Sequence, residues 1–234
     1  VNIFNKMPSI GIISGAGPEA GATLYTSIIR EFQRHGAWKD HHYPLIHILS
    51  FPFSDMLSEN IDENKIKKEL KSSIDHMVNN NECDYIIIAC NTLHLFLDDM
   101  NDSKIINLIH LIESSLDENN TPVILASKTS CKNNLHGKLL KKEVIYYDPD
   151  LSQTTINNIL KGNEVNVNWI YEIAENNKVV LGCTEYSAIF LNKRHKNIID
   201  PFVEASKVIF NFSNESFTKM MKDEEVKLDS NKFL

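Results

Sequence analysis

Two cysteines in this 234-residue chain stand in matching surroundings. Cys90 lies in Ile-Ile-Ile-Ala-Cys-Asn-Thr-Leu-His (86–94), and Cys183 in Val-Val-Leu-Gly-Cys-Thr-Glu-Tyr-Ser (179–187). Each follows an apolar run of strand character, then a small residue, and has a Thr close behind. Ligands of parallel α/β sheets bind beyond the carboxyl ends of the strands, where both thiols fall. A thiol ionises near pH 8.5, so N–H groups at a helix start are expected to generate thiolate near neutrality. Two thiols on opposite sides of one carbon allow one to remove a proton and the other to deliver one. A lone cysteine is ordinarily a buried core residue. The paired contexts favour the chemical role for Cys90 and Cys183, whereas Cys83 and Cys131 have no such context and read as structural.

Neighbouring residues fit the same chemistry. Asn91 and Thr92 directly follow Cys90, and with backbone N–H groups at that turn they offer donors to an anionic ligand; helix capping is the competing role. His94, four residues after Cys90, has the spacing to polarise the thiol, although a satisfied structural histidine fits somewhat better. Glu185 has the place to orient Thr184 or tune Cys183, or simply to complement a helix dipole. A metal site of Cys90, His94 and Cys183 lacks a fourth ligand in the sequence. The loop Ser-Gly-Ala-Gly-Pro-Glu-Ala-Gly (14–21) has a G-x-G-x-x-x-G spacing. A dinucleotide fingerprint also needs an acidic residue after the next strand, and that strand ends in His-Ile-Leu-Ser-Phe-Pro. The glycines therefore serve a tight turn and close backbone approach to a small ligand.

Short apolar runs at 10–14, 45–50, 85–89, 104–107, 123–126, 144–146, 179–181 and 198–199 read as strands. Several are nearly continuous Ile, Val and Leu, as parallel strands covered on both faces require. Helical segments are expected at 18–35, 62–79, 109–116, 152–161, 167–176, 185–191 and 203–217, with Pro18 tolerated in a first turn. The order strand-turn, strand-Cys occurs twice: IGIISGAG (10–17) is echoed by PVILASKT (122–129), as the first Cys segment is by the second. This predicts an α/β protein of two similar domains with mainly parallel sheets, related by a pseudo-twofold, with the active site in the cleft between them. Residues 1–111 with 204–217 form the expected first domain, carrying Cys90, and 112–203 the second, carrying Cys183. The charged stretch 218–234 reads as a solvated tail.

Hydrophobic residues make up 42% of the chain and charged ones 24%, as in globular proteins. A net charge of −7 without a basic block excludes a nucleic-acid partner. No apolar run approaches the roughly 20 residues that span a bilayer, and no membrane partner is expected. The N-terminal segment lacks a secretory pattern, and the scattered cysteines suggest reduced thiols; a cytoplasmic location is expected.

With these motifs the chain resembles the aspartate/glutamate racemase superfamily, in its aspartate racemase and broad-specificity amino-acid racemase branch. The resemblance rests on G-I-I-S-G-A-G-P-E-A, A-C-N-T-L-H, L-G-C-T-E and I-D-P (199–201), and extends roughly from Ile10 to Phe217. It implies a cofactor-independent amino-acid racemase, without pyridoxal phosphate or metal, in which Cys90 and Cys183 are the proton-transfer pair. It also implies that Ala16, Asn91, Thr92, Thr129 and Thr184 lie at or beside positions that contact a small amino-acid substrate, chiefly its α-carboxylate. A homodimer stays open. So do a hydantoin racemase, a maleate-isomerase-like reaction and a non-catalytic amino-acid-binding protein. One departure bears on substrate. Acidic-substrate members carry an Arg shortly after the second strand, where this chain reads FPFSDMLSEN, and a Lys after the sixth, where it has Gln153, Thr154 and Thr155. Phe51, Phe53 and Met56 suggest a more apolar pocket, with Lys128 as an alternative cation.

Overall fold

Strands covered on both faces must point apolar side chains both ways, and the apolar runs here do so in two separate sheets. The computed structural model describes residues 7–57, 61–97, 100, 103–116, 120–193 and 195–230, the last six by backbone alone. Its elements in chain order are β1 (Ile10–Ser14), α1 (Pro18–Arg34), β2 (Ile46–Ser50), α2 (Glu63–Asp75), β3 (Tyr85–Ile88), β4 (Ile105–Ile106) and α3 (Leu108–Leu111). There follow β5 (Val123–Ile124), α4 (Lys128–Lys132), α5 (Leu135–Leu140), β6 (Ile145–Tyr146), α6 (Pro149–Leu160), α7 (Asn168–Ala174), β7 (Val179–Val180), α8 (Glu185–Phe190), β8 (Ile198–Ile199) and α9 (Pro201–Ser230). The sheets run β2-β1-β3-β4 and β6-β5-β7-β8, so the second repeats the strand order of the first. Every pairing is parallel. The chain therefore contains two parallel-sheet α/β units of four strands each, as the fold class required.

Alternation along each strand builds the layers. Ile10, Ile12 and Ile87 pack against Leu24, Ile28 and Phe32 of α1 and Phe202, Ile209 and Phe210 of α9. Ile13, Ile86 and Ile88 face Ile66, Leu70 and Ile74 of α2 on the other side. In the second sheet Val123, Leu125 and Val179 pack on Ile156 and Ile170, while Ile124 and Val180 face Leu135 and Leu140. The I-D-P motif has a mechanical role: the Asp200 carboxylate accepts the Phe202 N–H at 2.9 Å and the Ser187 hydroxyl at 2.7 Å, fixing α9 against α8.

Beyond Phe217 the structure corrects the sequence reading. Residues 218–230 continue α9 as helix where a charged tail without regular structure was expected, and 231–234 lie outside the described residues. Phe217, Met220 and Met221 continue a helical stripe onto the core of the first sheet. One turn on, the Glu224 carboxylate takes Lys39 Nζ and His41 Nε2, each at 2.6 Å. The charged residues between them hid this stripe. Two helices, α4 and α5, also went unpredicted, because neither is long enough to show an amphipathic period. Among the described residues no helix is long and apolar enough to cross a membrane.

Candidate active site

The carboxyl ends of both sheets open onto one cavity of about 260 Å3. Its walls come from five strand ends: Gly15, Ala16 and Gly17 after β1, residues 53–57 after β2, Cys90 and Thr92 after β3, Ser127 after β5, and Cys183 and Glu185 after β7. Ile156 and Leu160 of α6 close the remaining side. The two cysteines of the repeated motif thus line the same cavity, one from each sheet, and each retains only 8% of its surface exposed.

The segments that carry the thiols clasp each other. Asn91, directly after Cys90, donates its amide to the carbonyl of Gly182, directly before Cys183, at 3.0 Å. Thr184, directly after Cys183, donates its hydroxyl to the carbonyl of Ala89, directly before Cys90, at 3.1 Å. Neither side chain caps its own helix. The exchange satisfies two buried carbonyls that strand pairing leaves over. It also locks the spacing of the two sulfurs to the backbone.

Of the residues expected to contact substrate, Ala16 and Thr92 line the cavity, while Asn91, Thr184 and Thr129 do not. The Thr92 hydroxyl lies 3.1 Å from those of both Ser127 and Ser130, joining the two units through a cluster of hydroxyls. Ser127 was missed from the sequence. In the repeat it is the counterpart of Gly15, but α4 starts two positions earlier in the repeat than α1 does, with Ser127 as its cap. The wall position passes to Ser127, and Thr129 sits half-buried within α4.

His94 meets backbone on both sides of its ring. Its Nδ1 donates to the Cys90 carbonyl at 3.0 Å, and its Nε2 accepts the Leu108 N–H at 3.3 Å, so both nitrogens serve the backbone. Burial lowers its pKa to about 4. Burial, with His94 adding to it, lowers that of His136 to about 3. Neither nitrogen of His136 has a hydrogen-bond partner among the described residues. Both rings stay neutral in the folded protein while the unfolded chain takes up protons below about pH 6.5. Their contribution is present above that pH and is lost as pH falls toward 4, by on the order of 3 kcal/mol or more. Urea midpoints should drop between pH 6.5 and 5, before carboxylates titrate, and His136→Leu should flatten that drop. An unchanged midpoint would contradict this.

Electrostatics at the thiols differ from the sequence-based expectation. Burial raises Cys90 to about 12, reinforced by the Glu185 charge, against the opposing donors Leu93 N–H, Thr92 N–H and the Thr92 hydroxyl. Burial also holds Cys183 well above the usual thiol range, followed by the charge of Glu185 and the hydrogen bond to it. That bond runs from Cys183 Sγ to Glu185 Oε2 over 2.8 Å. Helix-start donors are thus outweighed by desolvation, and both thiols are neutral. The turn at 15–17 fits around this pair. Gly15 and Gly17 have φ of +110° and +86°, and a Cβ on Gly17 would lie 1.9 Å from Glu185 Oε1.

A model of the Asp/Glu/Hydantoin racemase family matches residues 13–209, most of the chain and all of the cavity's walls. The chain belongs to that family. A broad specificity amino-acid racemase of Bacillus subtilis is 28% identical over 149 residues, 59% of this chain and 64% of that protein. The match therefore spans less than two thirds of the relative's length. An aspartate racemase of Picrophilus torridus superposes with a TM-score of 0.67 at 19% identity, covering 88% of this chain and 94% of the other. An aspartate racemase homologue from Pyrococcus horikoshii gives 0.68 at 23%, covering 89% and 100%. A Francisella tularensis glutamate racemase in complex with D-glutamate gives 0.57 at 19%, covering 91% and 83%. These structural likenesses concern the two-unit fold of the Asp/Glu/Hydantoin racemase family. The cysteine geometry above comes from this chain alone.

Proposed function

We propose that this protein is a cofactor-independent amino-acid racemase in which Cys90 and Cys183 perform a two-base 1,1-proton transfer at the α-carbon. One observation carries the reading: two cysteines at equivalent strand ends of two repeated sheets line one cavity. One thiolate takes the α-proton from its face, and the opposite thiol returns a proton to the other. The entering α-ammonium adds positive charge beside two buried thiols and so favours the thiolate that burial suppresses. The Thr92 and Ser127 hydroxyls and the N–H groups of the glycine turn are the donors for the α-carboxylate. Charge builds there as the carbanion forms, so fixed donors stabilise the transition state over the ground state.

The cavity also bears on the substrate. Its described lining includes Asp55 and Glu185 and no Lys, Arg or His. The Lys128 ammonium pairs with Asp150 at the surface, and Gln153 accepts the Lys128 N–H. A second carboxylate in an apolar pocket without a cation is poorly compensated. Neutral amino acids should therefore exceed aspartate and glutamate in kcat/KM by about 100-fold, matching the few kcal/mol an unpaired buried charge costs. The test is a racemisation screen of D- and L-amino acids with protein dialysed against EDTA and free of added pyridoxal phosphate. Preference for aspartate would overturn the substrate assignment, and activity restored only by metal or pyridoxal phosphate would overturn the mechanism.

A further inference from the structure

The two thiols are equally buried but not equivalently surrounded. Cys183 Sγ points its proton at the Glu185 carboxylate, 2.8 Å away, and Glu185 itself is only 7% exposed. Cys90 feels the Glu185 charge as well, but the hydrogen bond to that carboxylate belongs to Cys183, and Cys90 faces the N–H groups of Leu93 and Thr92. Donors stabilise a thiolate, whereas an anionic acceptor stabilises the thiol. We infer that Glu185 is a positioning residue that sets the order in which the site ionises, holding Cys183 as the proton donor and leaving Cys90 as the resting base. This inference rests on the two-cysteine reading above.

The proton bookkeeping closes. Before substrate binds, the site carries two thiols and one carboxylate, and when it loses one proton to water, that proton leaves Cys90. The Cys90 thiolate then takes the α-proton of one enantiomer, breaking C–H and forming S–H. Cys183 gives its proton to the opposite face, forming C–H and leaving a thiolate beside Glu185. Two anions now adjoin, so this state reverts by protonation of Cys183 from water and loss of a proton from Cys90. Burial, with the charge of Glu19 of α1 adding to it, pushes the Glu185 carboxyl up, while the hydrogen bond from Cys183 and the Glu185 N–H favour the carboxylate. At Cys183 the Glu185 backbone N–H acts against this order, favouring the thiolate. Gly17 leaves the space that Glu185 Oε1 fills, so the turn after β1 holds the carboxylate against Cys183.

The experiment is site-resolved carbamidomethylation of the unliganded full chain by iodoacetamide at pH 8, followed by peptide mass spectrometry. Both cysteines line the same cavity and are 8% exposed, and the change in the rate ratio on altering Glu185 reports thiolate fraction. Cys90 should label at least about tenfold faster than Cys183, the ratio that one pKa unit produces. Glu185→Gln, which keeps the size and removes the charge, should bring the two within about threefold by accelerating Cys183. If circular dichroism shows that variant misfolded, Glu185→Asp serves instead: it keeps the charge but withdraws it from the sulfur, and should also narrow the ratio. Failure of Cys90 to lead in the parent protein, or a ratio unmoved in the folded variant, overturns the inference. Labelling needs no turnover, so an inactive protein with this order would refute the racemase reading alone, and an active protein without it would refute this inference alone.

Discussion

Cys90→Ser and Cys183→Ser should each lower racemisation by about 10²- to 10⁴-fold, the usual contribution of one general acid or base. Serine keeps the size and hydrogen bonding of the side chain but is far less acidic, so the loss reports thiol chemistry more than packing. Both directions use one base and one acid, so the double variant should be little worse than either single one. Cys83 and Cys131 are the controls. Cys83 is fully buried under β1, near Gly11, and Cys131 is half-buried in α4. Cys83→Ser and Cys131→Ser should keep activity and lose at most a modest amount of stability. A folded Cys90→Ser protein that racemises at the parental rate would refute the paired-thiol account.

Gly15→Ala should damage fold and activity together. The backbone at Gly15 has a φ of +110°, which an L side chain adopts only with strain, of about 1–2 kcal/mol. The new Cβ would also lie 1.8 Å from the Phe51 carbonyl oxygen. That neighbour is backbone, and it cannot retreat freely because the Phe51 N–H is bonded to the Ser14 carbonyl at 3.0 Å. Overpacking of this kind adds about 1–3 kcal/mol. A total near 3 kcal/mol corresponds to a Tm lower by about 6–12 °C for a chain of this size. The segment that must move leads into the 53–57 wall, and misplacing a wall by about 1 Å costs on the order of 100-fold in rate. A parental Tm and rate in Gly15→Ala would show that the turn is not fitted to the site as described.

The strands were legible because parallel interior strands are built from unbroken Ile, Val and Leu. All eight lie within two residues of their expected ends, although those of the second sheet form ladders of only two residues. Helices were legible only where an apolar stripe had length to repeat. Lys128–Lys132 has no such stripe and is helical because Ser127 caps it and the surrounding packing holds it. The segment expected as one helix over 62–79 ends instead in a π turn, His76–Asn80. At the site, the matched cysteines announced themselves through the repeat. The roles of Asn91 and Thr184 did not, because the carbonyls they satisfy belong to the other unit and become neighbours only when the units pack. His94 illustrates the same limit: spacing placed it beside Cys90, and only the fold shows both nitrogens bound to backbone.

The central claim, that two opposed thiols act on the α-carbon, is tested most directly by the position of deuterium early in the reaction. One pure enantiomer of a neutral amino acid is incubated with the protein in deuterium oxide, and both enantiomers are separated and weighed by mass spectrometry at low conversion. Each thiol exchanges with solvent before substrate binds, so the acid delivers deuterium while the base receives protium. The account predicts that the product enantiomer is almost fully deuterated at Cα while the remaining substrate is almost unlabelled. Equal labelling of both enantiomers from the first time point would mean that a single group serves both faces, and would contradict the assignment of Cys90 and Cys183 to opposite sides of the substrate.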